Sequence, residues 1–228
     1  MDYLSVLNDL ANSRAAGGVL TTPGGSICVA RNHERRAESS VFMKTLQRPF
    51  LLIHAPLSKK EVRDQQEAIG QEIPQAYQEF LDQSNGGSFF QNAFNFYGKA
   101  KLQGDDPLNI GPISLVNSNT FGRPKNLSRD LFVVGYYEGI STTYSIALDG
   151  TGRCFVVQGK NNPDGEPLFS WPSLAEMFFC ETKRFAAAFD EFGVLKNDQL
   201  TFFPPCFAMQ ESRERLLIAS EAKAVGLY

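Results

Sequence analysis

The sequence predicts an α+β fold, in which a mostly antiparallel sheet of about six strands packs against helices. Helix-capping patterns begin at residues 58 and 173, and each precedes a run with apolar residues at helical spacing. Between these runs the apolar residues alternate in short stretches, as they do in strands. An Asp-Gly step joins two of the alternating stretches and is typical of a β-hairpin. Helices flanking a block of hairpin-linked strands indicate this fold class.

Length and composition are those of an ordinary globular protein. The chain has 228 residues, 43% of them hydrophobic and 21% charged, which is enough to bury one large core. No apolar stretch approaches the roughly 18 residues that a membrane span needs, and the first residues lack the pattern of a secretory signal. The four cysteines, at positions 28, 154, 180 and 206, have no metal-binding spacing. We therefore expect a cytoplasmic protein with reduced thiols and no membrane, metal or cofactor.

Residues 1–56 are expected to form an N-terminal extension that packs on the main domain. Residues 2–12 place leucines at helical spacing, before Gly17-Gly18 interrupts the pattern. Two short extended pieces flank Pro23-Gly24-Gly25, which favours a hairpin. The stretch PFLLIHA, at 49–55, has the composition of a buried strand.

The first core helix has the clearest local pattern. Ser58 is a good N-cap, and Glu61 completes a capping box three residues later. Leu57 and Val62 occupy the two positions of a hydrophobic staple, and Gly70 marks the break.

A second helix is expected to open with Pro74 at its first position. Its apolar residues share one face: Ile73, Tyr77, Phe80 and Leu81. Because Asn and Gly tolerate the left-handed conformation, Asn85-Gly86-Gly87 predicts the helix stop and a turn.

The alternating block predicts strands at 94–97, 113–116, 131–137, 142–148 and 154–157. Asp149-Gly150-Thr151-Gly152 joins the last two in a tight hairpin. Ser173 and Glu176 then open a helix that packs on the sheet and ends at Gly193. Trp171, just before this helix, is either a core residue or an exposed binding anchor. Residues 182–228 are expected to form a C-terminal helical extension.

The sequence contains no convincing catalytic constellation. His33 and His54 are the only histidines and do not form a metal motif, so neither a zinc site nor a His-activated nucleophile is expected. Asp105 and Asp106 are adjacent in a Gly-containing loop and supply too few ligands for a calcium loop. Glu138 follows two tyrosines and is either a general acid that these neighbours desolvate or the tip of a hairpin.

Charge along the chain points to a basic protein partner. Residues 57–181 contain 10 Lys and Arg against 15 Asp and Glu, a balance of 10 − 15 = −5, whereas the whole chain carries −3. An acidic body repels phosphate backbones, so direct nucleic-acid binding is disfavoured. Asp105, Asp106 and Glu138 are the candidate partner-binding residues, because turn-rich loops and hairpin tips are exposed to other chains.

Several of these stretches together resemble the SUKH superfamily. The run Ile73-Pro74-Gln75-Ala76-Tyr77-Gln78-Glu79-Phe80-Leu81, followed by Asn85-Gly86-Gly87, is similar to the superfamily's signature. LFVVGYYEGIS, YSIALDGTGRCFVV and SLAEMFF resemble its glycine-centred strands and closing helix. The resemblance covers residues 57–181, which we take as the core domain.

The resemblance implies a non-enzymatic binding protein. The superfamily includes the Smi/Knr cell-wall-assembly regulators of fungi and many bacterial immunity proteins that neutralise toxins, often nucleases. We therefore expect an immunity protein that binds a basic toxin domain. The alternatives are a regulatory scaffold of the cell-wall-regulator type, or a metal-dependent hydrolase that uses Asp105, Asp106 and Glu138.

Overall fold

The computed structural model describes residues 2–13, 19–21, 25–29, 49–100, 111–138, 144–158 and 167–189. It confirms the α+β class: an antiparallel sheet packs against helices. Nine strands lie within the described residues: β1 (Val19–Thr21), β2 (Ile27–Val29), β3 (Leu51–Ile53), β4 (Gly87–Phe89), β5 (Phe94–Phe96), β6 (Phe132–Tyr137), β7 (Tyr144–Leu148), β8 (Cys154–Gln158) and β9 (Phe169–Trp171). The helices of the same residues are α1 (Tyr3–Ser13), α2 (Lys59–Ile69), α3 (Gln75–Leu81), α4 (Leu115–Asn119) and α5 (Leu174–Ala188).

The sheet is a meander, in which every strand pairs with the next one in the chain from β1 to β9. The expected hairpin of β1 and β2 is confirmed, as is the buried strand β3, and β3 pairs with β4. Strands β1, β2 and β3 therefore belong to the same sheet as the later strands. The expected number of strands was too low because β4 and β9 are only three residues long, too short to show a period.

One face of the sheet carries an aromatic core that the helices cover. Phe80 of α3 packs on Phe96 of β5 with ring centroids 4.9 Å apart, and Phe178 of α5 packs on Phe89 at 5.6 Å. Tyr3 of α1 contacts both helices through the same two phenylalanines, Phe80 and Phe178. This cluster is the dominant apolar burial of the fold.

The local patterns at α2 and at the last hairpin are confirmed. The Ser58 side chain accepts a hydrogen bond from the Glu61 backbone, and the Glu61 carboxylate accepts one from the Ser58 backbone N–H. Gly70 ends α2 with φ +73°. Strands β7 and β8 pair as expected. Their turn differs in detail, because Gly152, with φ +86°, takes the left-handed position and Asp149 Oδ1 accepts two backbone hydrogen bonds.

Three expectations were wrong. Residues 113–116 do not form a strand: Ser114 caps helix α4 by accepting from the Asn117 backbone. Helix α3 ends at Leu81, so Asn85-Gly86-Gly87 is not its stop but leads into β4. Helix α5 ends at Ala188, where the next residue becomes extended, and not at Gly193, which lies outside the described residues. Each error extended a local pattern across a place where sheet contacts decide the backbone.

Candidate binding site

A row of polar side chains crosses the sheet on the face opposite the aromatic core. Ser88, Asn95, Tyr136 and Ser145 stand directly opposite one another on four consecutive strands, β4 to β7. Their neighbours Phe89, Phe94 and Phe96 point to the helices, so alternation places the polar row on the other face. Adjacent strands lie about 4.8 Å apart, which brings neighbouring members of the row within reach of one small ligand or side chain.

Three residues of this row, Ser88, Asn95 and Tyr136, form the floor of a cavity of about 180 Å³. Leu52 and His54 of the β3 region border it on one side, and Tyr136 borders it on the other. Residues 111–113 line it from the loop that precedes α4, and Ile113 stays half exposed at 50%. Asn95 is only 5% exposed, so an amide group is held almost fully out of bulk solvent at this site.

The turn between β4 and β5 is strained next to this cavity. Phe90, Gln91 and Asn92 all have positive φ, at 53°, 60° and 71°, a region that costs a non-glycine residue roughly 1–2 kcal/mol. Phe90 is held there by its fully buried ring, which packs on Phe185 of α5 at 5.3 Å. Backbone strain of this kind is typical of functional sites, and here it places Asn92 in the cavity wall.

Hydrogen bonds within the site engage some of its donor groups and leave acceptor oxygens available. The Ser88 hydroxyl donates to Asn92 Oδ1, and Asn95 Nδ2 donates to the Asn92 carbonyl at 2.9 Å. Among the described residues, no donor reaches Asn95 Oδ1 or Tyr136 Oη. The floor of the cavity therefore presents lone pairs to whatever enters it.

Tyr136 combines an aromatic surface with a hydroxyl that stays protonated. Its ring stacks on Tyr97 with centroids 5.7 Å apart and an interplanar angle of 23°. Burial, followed by the nearby charge of Glu138 and by Tyr97, raises the pKa of Tyr136 to about 12. At neutral pH the phenol is therefore uncharged and can both donate and accept one hydrogen bond.

Glu138 lies beside the cavity on the same side of the sheet as Tyr136. Its backbone N–H donates to the Ala93 carbonyl at 3.2 Å and extends the pairing of β5 with β6 by one residue. Since side chains two residues apart share a face, the Glu138 carboxylate projects next to Tyr136. Glu138 is exposed, so its charge is available to a partner.

The Asn-Gly-Gly segment holds the loop that covers the cavity. The Asn85 side chain accepts from the Lys99 backbone at 2.6 Å and donates to the Lys99 carbonyl at 3.1 Å. The adjacent Gly98 accepts from Leu115 at 2.8 Å and donates to the Ile113 carbonyl at 2.9 Å. A side chain at Gly98 would lie 2.4 Å from Asn85, so only glycine fits there. Asn85 thus holds the Gly98-Lys99 backbone in place, and Gly98 in turn positions residues 111–113 beside the sheet.

Tyr77 anchors α3 to the sheet at an irregularity of β6. Its buried hydroxyl lies 2.5 Å from the Tyr97 carbonyl and 2.9 Å from the Val134 carbonyl. Val134 sits at the β-bulge where the register with β7 shifts between Val133 and Gly135. Burial raises the pKa of Tyr77 well above its usual value, so the hydroxyl is a permanent donor to this pair of carbonyls.

Comparison with known families decides the identity of this domain. A model of the SMI1 / KNR4 family (SUKH-1) matches residues 56–192, more than half of the chain. The chain belongs to this SUKH family. No curated protein matches it closely enough to count as a relative.

The SUKH match includes the Tyr77 and Asn85 anchors and every residue that lines the cavity except Pro49, Leu52 and His54, which precede it. It also confirms the resemblance expected from the Ile73–Leu81 run and Asn85-Gly86-Gly87. None of the helices in the described part of the chain is long and apolar enough to cross a membrane. Within those residues, no three His, Cys, Asp or Glu side chains are grouped to hold a metal ion.

Only some of the residues singled out from the sequence lie near the cavity of this SUKH domain. Glu138 lies beside the cavity, whereas Asp105 and Asp106 lie outside the described residues, as does His33. His54 borders the cavity, and Trp171 is a core residue, 6% exposed. The polar row was missed.

The sequence contained a recognisable signal for Asn95 of that row but not for Ser88. Asn95 interrupts the aromatic run FNFY, and a polar residue between two buried aromatics marks the second face of a strand. Ser88 gave no such signal because the expected turn at Asn85-Gly86-Gly87 concealed β4.

Proposed function

We propose that this SUKH domain is a non-enzymatic protein-binding module: a cytoplasmic immunity protein that binds and neutralises a bacterial toxin domain with a basic surface. The observation that carries the proposal is the family match over residues 56–192, which includes most of the residues that line a preformed cavity. Preformed cavities with a few fixed polar groups are the usual form of a binding site.

The chemistry of the cavity favours binding over proton transfer. Apart from the imidazole of His54, which is 3% exposed, its polar side chains are hydroxyls and amides. The hydroxyl of Tyr136, with a pKa near 12, stays protonated at neutral pH. A general base works best with a pKa near the operating pH, which this phenol does not have. Such groups instead hold and orient another molecule by hydrogen bonds.

Electrostatic attraction is proposed to bring the partner to this face. Glu138 contributes one exposed negative charge beside the cavity, and we propose Asp105 and Asp106 as further contributors. Opposite potentials accelerate encounter, and salt screens charges separated by more than about 8–10 Å. Association should therefore slow as salt is added.

Stopped-flow measurements at several ionic strengths test this attraction once a partner is in hand. Reversing Asp105 and Asp106 to Lys should lower the association rate more than it raises the dissociation rate, because rim charges act mainly on encounter. Stability should change by less than about 1 kcal/mol. An association rate indifferent to salt would reject electrostatic attraction and leave an apolar interface.

The proposed function itself is tested by capture followed by an activity assay. The full chain, tagged and cross-linked in its host, should retain a toxin domain, and the purified pair should form a stoichiometric complex in which the toxin is inactive. A captured host regulator that stays active would favour the regulatory scaffold instead. Absence of any stable protein complex would overturn the proposal.

A further inference from the structure

We infer that the cavity beside Glu138 receives an arginine side chain of the partner protein. The inference rests on the proposed function, because it names the group through which a basic partner is held. Three observations on the described residues support it: the oxygens of the cavity floor, the adjacent carboxylate and the stacked aromatic pair.

The oxygens of the cavity floor favour a ligand that donates hydrogen bonds. The hydroxyl proton of Ser88 and one amide proton of Asn95 are already given to Asn92. Asn95 Oδ1 and Tyr136 Oη, on neighbouring strands, have no donor among the described residues. Asn95 is only 5% exposed as a residue, and its amide oxygen can accept a hydrogen bond from an incoming N–H group.

Charge and shape select arginine among donors. The Glu138 carboxylate lies next to the cavity and attracts a cation, and its side chain makes no ion pair within the described residues. Tyr136 and Tyr97 present stacked rings, on which a planar guanidinium packs better than an ammonium. The cavity of about 180 Å³ has room for the guanidinium group and its adjoining methylenes, since this is the volume of about six waters at roughly 30 Å³ each.

Blocked amino acids provide probes that do not require the partner. N-acetylarginine methylamide should shift the side-chain amide NMR signals of Asn92 and Asn95, with a dissociation constant of about 1 mM or weaker, as expected of a single side chain. The corresponding citrulline derivative, which has nearly the same shape without the charge, should bind several-fold more weakly. The lysine derivative should also bind more weakly, because it lacks the planar fork.

Two conservative variants link the shifts to this site. Glu138→Gln should weaken binding of the arginine probe about two- to fivefold, as loss of an exposed charge does. Tyr136→Phe keeps the ring stack and should weaken it about fivefold through the lost hydroxyl. Glu67→Gln, an identical change at an exposed position on α2, is the matched control and should leave the affinity unchanged.

Each outcome separates the inference from the proposed function. No shift at Asn92 and Asn95, or equal binding of the citrulline probe, would overturn the arginine inference even if a toxin partner is captured. Tenfold tighter binding of free arginine than of the blocked form would also overturn it, because the site would then recognise a small molecule. Weaker binding of the arginine probe to Glu138→Gln, with unchanged binding to Glu67→Gln, supports it, whether or not a toxin has been identified.

Discussion

Gly86 offers a sharp test of how the Asn-Gly-Gly segment is built. Its φ is +75°, and a Cβ placed there would lie 2.6 Å from the Phe96 carbonyl oxygen and 2.9 Å from Tyr97 backbone atoms. All three contacts are with backbone of the neighbouring strand region, which cannot rotate away as a side chain would. Gly70 is the matched control, because its φ is +73° but no atom lies within 4 Å of its Cβ position.

The comparison separates conformational strain from close approach. Gly70→Ala should lower the free energy of unfolding by about 1–2 kcal/mol, the cost of the left-handed conformation alone. Gly86→Ala carries the same strain plus the cost of overpacking, typically about 1–3 kcal/mol, for a total of about 2–5 kcal/mol. Gly86→Val should be at least as damaging, because branching at Cβ adds further contacts.

Urea denaturation followed by fluorescence measures both variants against the parent chain. In a domain of this size, each kcal/mol corresponds to a shift of about 2–4 °C in Tm, so thermal unfolding provides an independent check. Equal losses in Gly70→Ala and Gly86→Ala would refute the close-approach argument. An unchanged Tm in Gly86→Val together with lost partner binding would show that the residue is functional and not architectural.

Three further predictions concern stability and metal content. Tyr77→Phe should lower the free energy of unfolding by about 1–3 kcal/mol, because the Tyr97 and Val134 carbonyls lose a buried donor; equilibrium denaturation measures the loss. Hydrogen bonds from Ser58 chiefly lower the pKa of Glu61 to about 2, from 4.5. The ionised Glu61 carboxylate therefore stabilises the folded state fully above pH 4.5, the pKa of the unfolded chain. This stabilisation is lost as the pH falls through about 2, the pKa in the folded state. Ser58→Ala should therefore cost about 1 kcal/mol at neutral pH and raise the NMR-titrated pKa of Glu61. Elemental analysis of untagged protein should find no stoichiometric zinc; a one-to-one signal would contradict the sequence argument.

The sequence alone determined features that depend on contacts within a few residues. The capping box of Ser58 and Glu61, the break of the helix at Gly70 and the pairing of β7 with β8 were all predicted correctly. Such features form wherever the local residues permit them, because their hydrogen bonds join backbone groups close in sequence. The Ile73–Leu81 run, together with Asn85-Gly86-Gly87 and the later strand and helix stretches, also indicated the family.

Where a short segment could adopt either of two conformations, contacts in the tertiary structure decided between them. Residues 113–116 alternate like a strand, yet the bonds of Gly98 to Ile113 and Leu115 fix the segment beside the sheet, and Ser114 then caps a helix. Asn85-Gly86-Gly87 is typical of a helix stop, but α3 ends earlier and β4 begins there because Gly87 pairs with Ile53. In both cases partners distant in sequence outweigh the local preference.

The candidate site depends on the register in which the strands pair, and it could not be predicted from the sequence. Ser88, Asn95 and Tyr136 come together only because β4, β5 and β6 align them on one face, and a shift of one residue would turn them to the other. The strained turn at Phe90 exists because its ring is buried against α5, nearly a hundred residues later in the chain. Glu138 could be chosen from the sequence as an exposed acid, but its position beside the polar row follows from the pairing of β5 with β6.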